Sequence, residues 1–110
     1  MSFLALASQK SILNLQKNFL LLQYTSISNQ SQAALAQMSA IERQYSGDDS
    51  RDYTEDPTYI YYEELSNQLE TEKDSIDSQL TVIDNEISSL KTLVNNSIKS
   101  SCQLNISGGS

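Results

Sequence analysis

The side chains able to do chemistry in this chain are one thiol and fourteen carboxylates, and no imidazole accompanies them. Without histidine, the usual general base and the commonest metal ligand are missing. Cys102 sits near the C-terminus with no histidine to raise its thiolate fraction and no second cysteine to pair with in the same chain. Four-ligand zinc sites built from cysteine and histidine are therefore excluded within one chain.

The carboxylates crowd around a tyrosine-rich stretch. Tyr45, Tyr53, Tyr59, Tyr61 and Tyr62 are interleaved with Asp48, Asp49, Asp52, Glu55, Asp56, Glu63 and Glu64. A calcium loop needs glycine at its sixth position and glutamate at its twelfth. Counted from Asp48, those positions are Tyr53 and Tyr59; counted from Asp52, Glu63 fits the twelfth but Pro57 occupies the sixth. The spacing does not suit calcium. Tyr45 and Tyr62 are expected to staple this segment, with the remaining tyrosines facing solvent or a partner. No catalytic, metal or cofactor residues are assigned, and the chain is read as a non-enzyme.

Charge narrows the partners further. The net charge is −7, distributed unevenly. Residues 1–41 hold Lys10 and Lys17 and no acid. Residues 42–86 hold all 14 acids against Arg43, Arg51 and Lys73, a net −11; residues 87–110 hold Lys91 and Lys99 and no acid. A phosphate binder needs clustered Lys and Arg, so no nucleic-acid partner is expected. No run approaches the ~18 apolar residues of a membrane span, so no transmembrane segment is expected. Ala5 and Ala7 fit a leader cleavage site, but a basic start is missing and the apolar run is only five residues. That start reads as the opening turns of a helix. The expected location is the cytoplasm, or outside the cell by a route that leaves the N-terminus in place.

The elements that position these residues follow from periodicity. From Phe3 to Tyr45 no Gly or Pro intervenes, and Leu6, Leu13, Leu20, Tyr24, Ile27, Ala34, Met38, Ile41 and Tyr45 recur in helical steps. Polar residues between Ser26 and Ser31 lower the propensity locally, where a kink or fraying is expected. Gly47 suits a helix C-terminus, while Asp56 and Pro57 suit the next N-cap and first helical position. A second helix is expected over 57–99. Leu65, Ile76, Ile87 and Ile98 stand eleven apart, with Leu69, Leu80, Ile83, Leu90 and Val94 between them; that spacing predicts a nearly straight stripe. The predicted architecture is all-α. It is a single-domain, antiparallel, coiled-coil-like two-helix hairpin about 60 Å long at ~1.5 Å per residue, with an acidic Tyr-rich loop over 46–56 and a flexible tail over 100–110.

Two helices have a seam but no interior, and Ser, Thr, Asn and Gln supply 43 of the 110 residues. Yet the N-terminal helix carries apolar residues beyond its stripe: Phe3, Leu4, Ile12, Leu15, Phe19, Leu21 and Leu22. One partner helix covers about a third of that surface. These seven residues are the candidate partner-binding site. The expected partner is protein, either further copies of the chain in a homo-oligomer or a dedicated partner chain gripped by a chaperone or adaptor.

Ser39-Ala40-Ile41-Glu42-Arg43, followed by Ser46-Gly47 and preceded by the lead-in Asn29-Gln30-Ser31-Gln32-Ala33-Ala34-Leu35, resembles the N-terminal coiled-coil segment of bacterial flagellins. The likeness spans residues 29–47; Asp48-Asp49-Ser50-Arg51-Asp52 stands where flagellins carry an arginine-rich stretch. It implies a self-assembling helical hairpin, secreted or associated with a filament or secretion system. Tyr45-Ser46-Gly47 is also similar to the turn of small secreted hairpins that carry Trp-x-Gly at this bend. The longer loop, and no Tyr-x-x-x-Asp/Glu tail after the second helix, depart from that pattern.

Overall fold

A computed structural model describes residues 2–48 and 50–108, and side chains as far as residue 99. Ser2 opens the first helix: its hydroxyl oxygen accepts from the Ala5 amide at 3.2 Å and its carbonyl from the Leu6 amide at 3.1 Å. Helix α1 then runs unbroken over Phe3–Tyr45. The expected kink around Ser26–Ser31 does not occur. Ser31 is instead buried in the seam at 3% exposure, and its hydroxyl donates to Glu70 Oε1 at 3.1 Å. That bond satisfies a polar group that burial would otherwise penalise.

Gly47 stops α1 with a φ of +87°, a left-handed conformation that costs an L side chain energy. A short 3₁₀ turn, Tyr53–Glu55, lies within the loop. Asp56 then caps the second helix, its Oδ1 accepting from the amides of Thr58 at 2.8 Å and Tyr59 at 3.2 Å. Helix α2 spans Pro57–Gly108. It continues past residue 99, where the sequence places the start of a tail. Residues 100–107 contain neither proline nor glycine, so nothing in the backbone chemistry ends the helix before Gly108. Cys102 lies outside the residues whose side chains are described.

The protein is an all-α helical hairpin, with no strand among the described residues. It divides into two compact units, one of Met1–Leu21 with Ser78–Ser110 and one of Leu22–Asp77. In the second unit, α1 covers Tyr24, Ile27, Ser31, Ala34, Met38, Ile41 and Tyr45, and α2 covers Tyr59, Tyr62, Ser66, Leu69, Lys73 and Ile76. In the first unit the covered positions are Leu6, Lys10, Leu13, Lys17 and Leu20 on α1, and Leu80, Ile83, Ile87, Leu90, Val94 and Ser97 on α2. Every step is three or four in alternation, the spacing of a heptad seam.

This corrects the eleven-residue series on α2. With 3.5 residues per turn, an eleven-residue step overshoots three turns by about half a residue, so the series walks out of the seam. Ile98, its last member, is 43% exposed. The seam is also unusually polar. Lys17 enters it by pairing with Asp84 at 2.7 Å, and Lys73 by lying over the Tyr24 ring at 5.5 Å and near Glu70 at 3.6 Å. No described helix is long and apolar enough to cross a membrane.

Candidate functional site

Once the seam register is known, the seven residues expected to bind a partner separate. All seven are exposed in the chain. Phe3 falls on the seam series of α1, three residues before Leu6, and Leu21 flanks the seam beside Leu20. Leu4 faces outward about three turns before Leu15. Ile12, Leu15, Phe19 and Leu22 are set in steps of three, four and three, and are between 54% and 71% exposed.

Those four form a second stripe with the same period as the seam, on the opposite face of α1. The angular reason is simple. With 3.5 residues per turn, a residue advances ~103° around the axis, which places this series about half a turn from the seam series. Ile12, Leu15 and Phe19 belong to the first unit, and Leu22 follows on the same unbroken helix. Its flanks, Ser11, Asn14, Gln16, Asn18, Gln23 and Thr25, are polar but uncharged. Helix α1 is thus apolar on two faces, of which α2 covers one.

Within the first unit, an open apolar groove of about 620 Å³ runs beside this stripe, walled by Ile12 and Leu13 of α1 and by Val82, Leu90 and Leu93 of α2. Val82 and Leu93 are exposed and were missed by the sequence reading. The eleven-residue series drew attention to other α2 positions, although apolar residues outside that series were themselves the available signal.

The tip, in the second unit, is held by side-chain bonds. Tyr45 donates its hydroxyl to Asp56 Oδ2 at 2.6 Å, and the Arg51 guanidinium lies 4.6 Å from the Tyr45 ring while donating to its hydroxyl at 3.3 Å. Tyr59 is buried edge-on to Tyr53 at 5.1 Å, its hydroxyl 3.5 Å from Glu42. The expected staple of Tyr45 and Tyr62 is therefore corrected: Tyr45 does fasten the tip, but Tyr59 is the second fastener. Tyr62 lies lower on the seam, edge-on to Tyr61 at 5.2 Å. The heptad register puts Tyr59 on the seam, which is why it turns inward.

The loop carboxylates serve the backbone. The Ser50 hydroxyl bonded to Asp48, the Thr54 hydroxyl bonded to Asp52 and the Tyr45 hydroxyl bonded to Asp56 each hold that aspartate below the ordinary carboxylate range. The same bond to Asp56 pushes the Tyr45 phenol up, and desolvation followed by the Glu42 charge raises Tyr59. Asp48, expected to be merely solvated, in fact accepts from both the amide and the hydroxyl of Ser50. Asp49 lies outside the described residues. No three metal-ligating side chains converge among the described residues.

Comparisons with protein families, curated proteins and solved structures gave no match. Functional inference for this chain therefore draws on its own geometry.

Proposed function

We propose that this protein is a non-catalytic structural component that self-associates through the outward face of α1. The observation that carries this is the stripe Ile12, Leu15, Phe19 and Leu22, repeating with seam periodicity where no helix of the same chain lies. A helix with two apolar faces is stable in water when both are packed. The exposed area supports the reading. The chain leaves 7823 Å² accessible, whereas a compact monomer of its 12.3 kDa leaves about 6,100 Å². The surplus of about 1,700 Å² is about twice the share one partner contributes to a standard interface.

The flagellin-like string at residues 29–47 and the polar, glycine-poor hairpin favour a secreted, filament-type or secretion-system-associated component. Light scattering is expected to show a dimer or larger species at micromolar concentration. Phe19→Asp and Leu22→Asp are expected to weaken association more than about a hundredfold, because each buries an unpaired charge in an apolar contact. A stable monomer at high micromolar concentration overturns self-association. The same surface then serves an adaptor that grips a separate chain, and co-purification with the product of a neighbouring gene identifies it.

A further inference from the structure

We infer that two copies pair α1 against α1 in antiparallel fashion, about a two-fold axis beside residue 17. The inference rests on the self-association proposed above and specifies its geometry. The steps from Ile12 to Leu15, Phe19 and Leu22 read the same in both directions, so an antiparallel copy meets itself layer by layer. Ile12 faces Leu22 of the second copy, Leu15 faces its Phe19, and Ser8 faces Ser26 at either end. A patch that matches its own rotated image is what an isologous interface requires.

Charge selects this orientation over the parallel one, which would stack the same four layers in register. All 14 acids lie within residues 42–86, a segment of net −11. In-register parallel pairing brings the two segments alongside each other within about one helix diameter, ~10 Å. Antiparallel pairing about residue 17 sends them in opposite directions. The two Glu42 residues, the first acids on α1, then stand about 75 Å apart at ~1.5 Å per residue. That is many times the ~8 Å screening length of physiological salt, so the repulsion between these segments is removed. The contact face itself adds no like-charge penalty, because the stripe's flanks are uncharged. Lys17, nearest the axis, is turned into the seam and bound by Asp84 at 2.7 Å.

Single-cysteine variants of the full chain test the pairing. Ile12→Cys and Leu22→Cys are each made with Cys102→Ser, checked for helicity, mixed to allow subunit exchange and oxidised. In the antiparallel pair the two mixed positions face each other. Two Ile12→Cys copies are instead offset by about 15 Å along the axis, beyond the reach of a disulfide. The mixture is expected to cross-link at least tenfold faster than either variant alone. Fastest cross-linking of each variant with itself overturns the orientation in favour of parallel pairing. An oligomer by light scattering that forms neither cross-link overturns this face as the interface while leaving self-association standing. A monomer by light scattering overturns both.

Discussion

At the scale of single residues, the side chains that define this molecule are those that stop, cap and fasten its helices. Gly47 holds a φ of +87°, and although a Cβ there would meet nothing within 4 Å, the backbone conformation itself penalises it. Gly47→Ala is expected to cost about 1 kcal/mol, read as a lowered urea midpoint with an unchanged slope. Asp56 ties three functions into one carboxylate: helix cap, acceptor for Tyr45 and neighbour of Arg51. Its acidity sets a pH dependence. A carboxyl whose folded pKa is depressed binds its proton later on acidification than it does in the unfolded chain. Stability from Asp48, Asp52 and Asp56 is therefore complete above their ordinary value of 3.8 and is lost as pH falls from there through the depressed values. Thermal melts between pH 6 and pH 2.5 are expected to show Tm falling in that lower window. In Asp56→Asn with Tyr45→Phe the fall should be smaller and should start from a lower Tm at neutral pH.

At the scale of the helices, stability resides in a seam whose apolar layers are interrupted by polar ones. Leu69 and Ile76 are among its most buried members, and Ser31 and Ser66 are its buried polar ones. Truncation of a well-covered seam residue leaves a cavity that two helices close only by bending, so Leu69→Ala is expected to cost about 2–4 kcal/mol. In a domain this small that is a large share of total stability, and loss of helicity at 222 nm on mild warming measures it. Leu15→Ala, on the outward stripe, is expected to leave the helicity of a dilute sample within about 0.5 kcal/mol of the parent while weakening association. The contrast between these two leucines separates the helix's two faces experimentally.

At the scale of the whole molecule, the charge map and the apolar stripe act on association in opposite senses. A net charge of −7 repels copies from one another, whereas burying the stripe draws them together. Raising sodium chloride screens the first and leaves the second, and a salting-out anion such as sulfate strengthens it. The dissociation constant from sedimentation is therefore expected to fall as either salt is raised. An association held by the loop acids would weaken instead. Asp48→Asn with Asp52→Asn at the loop is expected to leave the dissociation constant within about twofold, because those carboxylates bond to Ser50 and Thr54 of their own chain.

Much of this was present in the sequence alone. The lack of breakers between residues 3 and 45, Gly47 at the stop and Asp56-Pro57 at the restart place both helices, because these residues act on the backbone nearest them. The charge segregation and the apolar excess of α1 are likewise matters of composition along the chain. The seam on α2 was not legible. Ile and Leu occur there often enough to support both an eleven-residue and a seven-residue series, and packing against α1 selects the second. Nor could sequence tell that Ser31, Lys17 and Lys73 belong to the seam, since their burial depends on Glu70, Asp84 and Tyr24 arriving from the other helix or a neighbouring turn. Tyr59 rather than Tyr62 fastens the tip for the same reason. Local chemistry determined where the helices begin and stop, while which face of each turns inward, and hence which face of α1 remains for a partner, was decided only when the two were packed together.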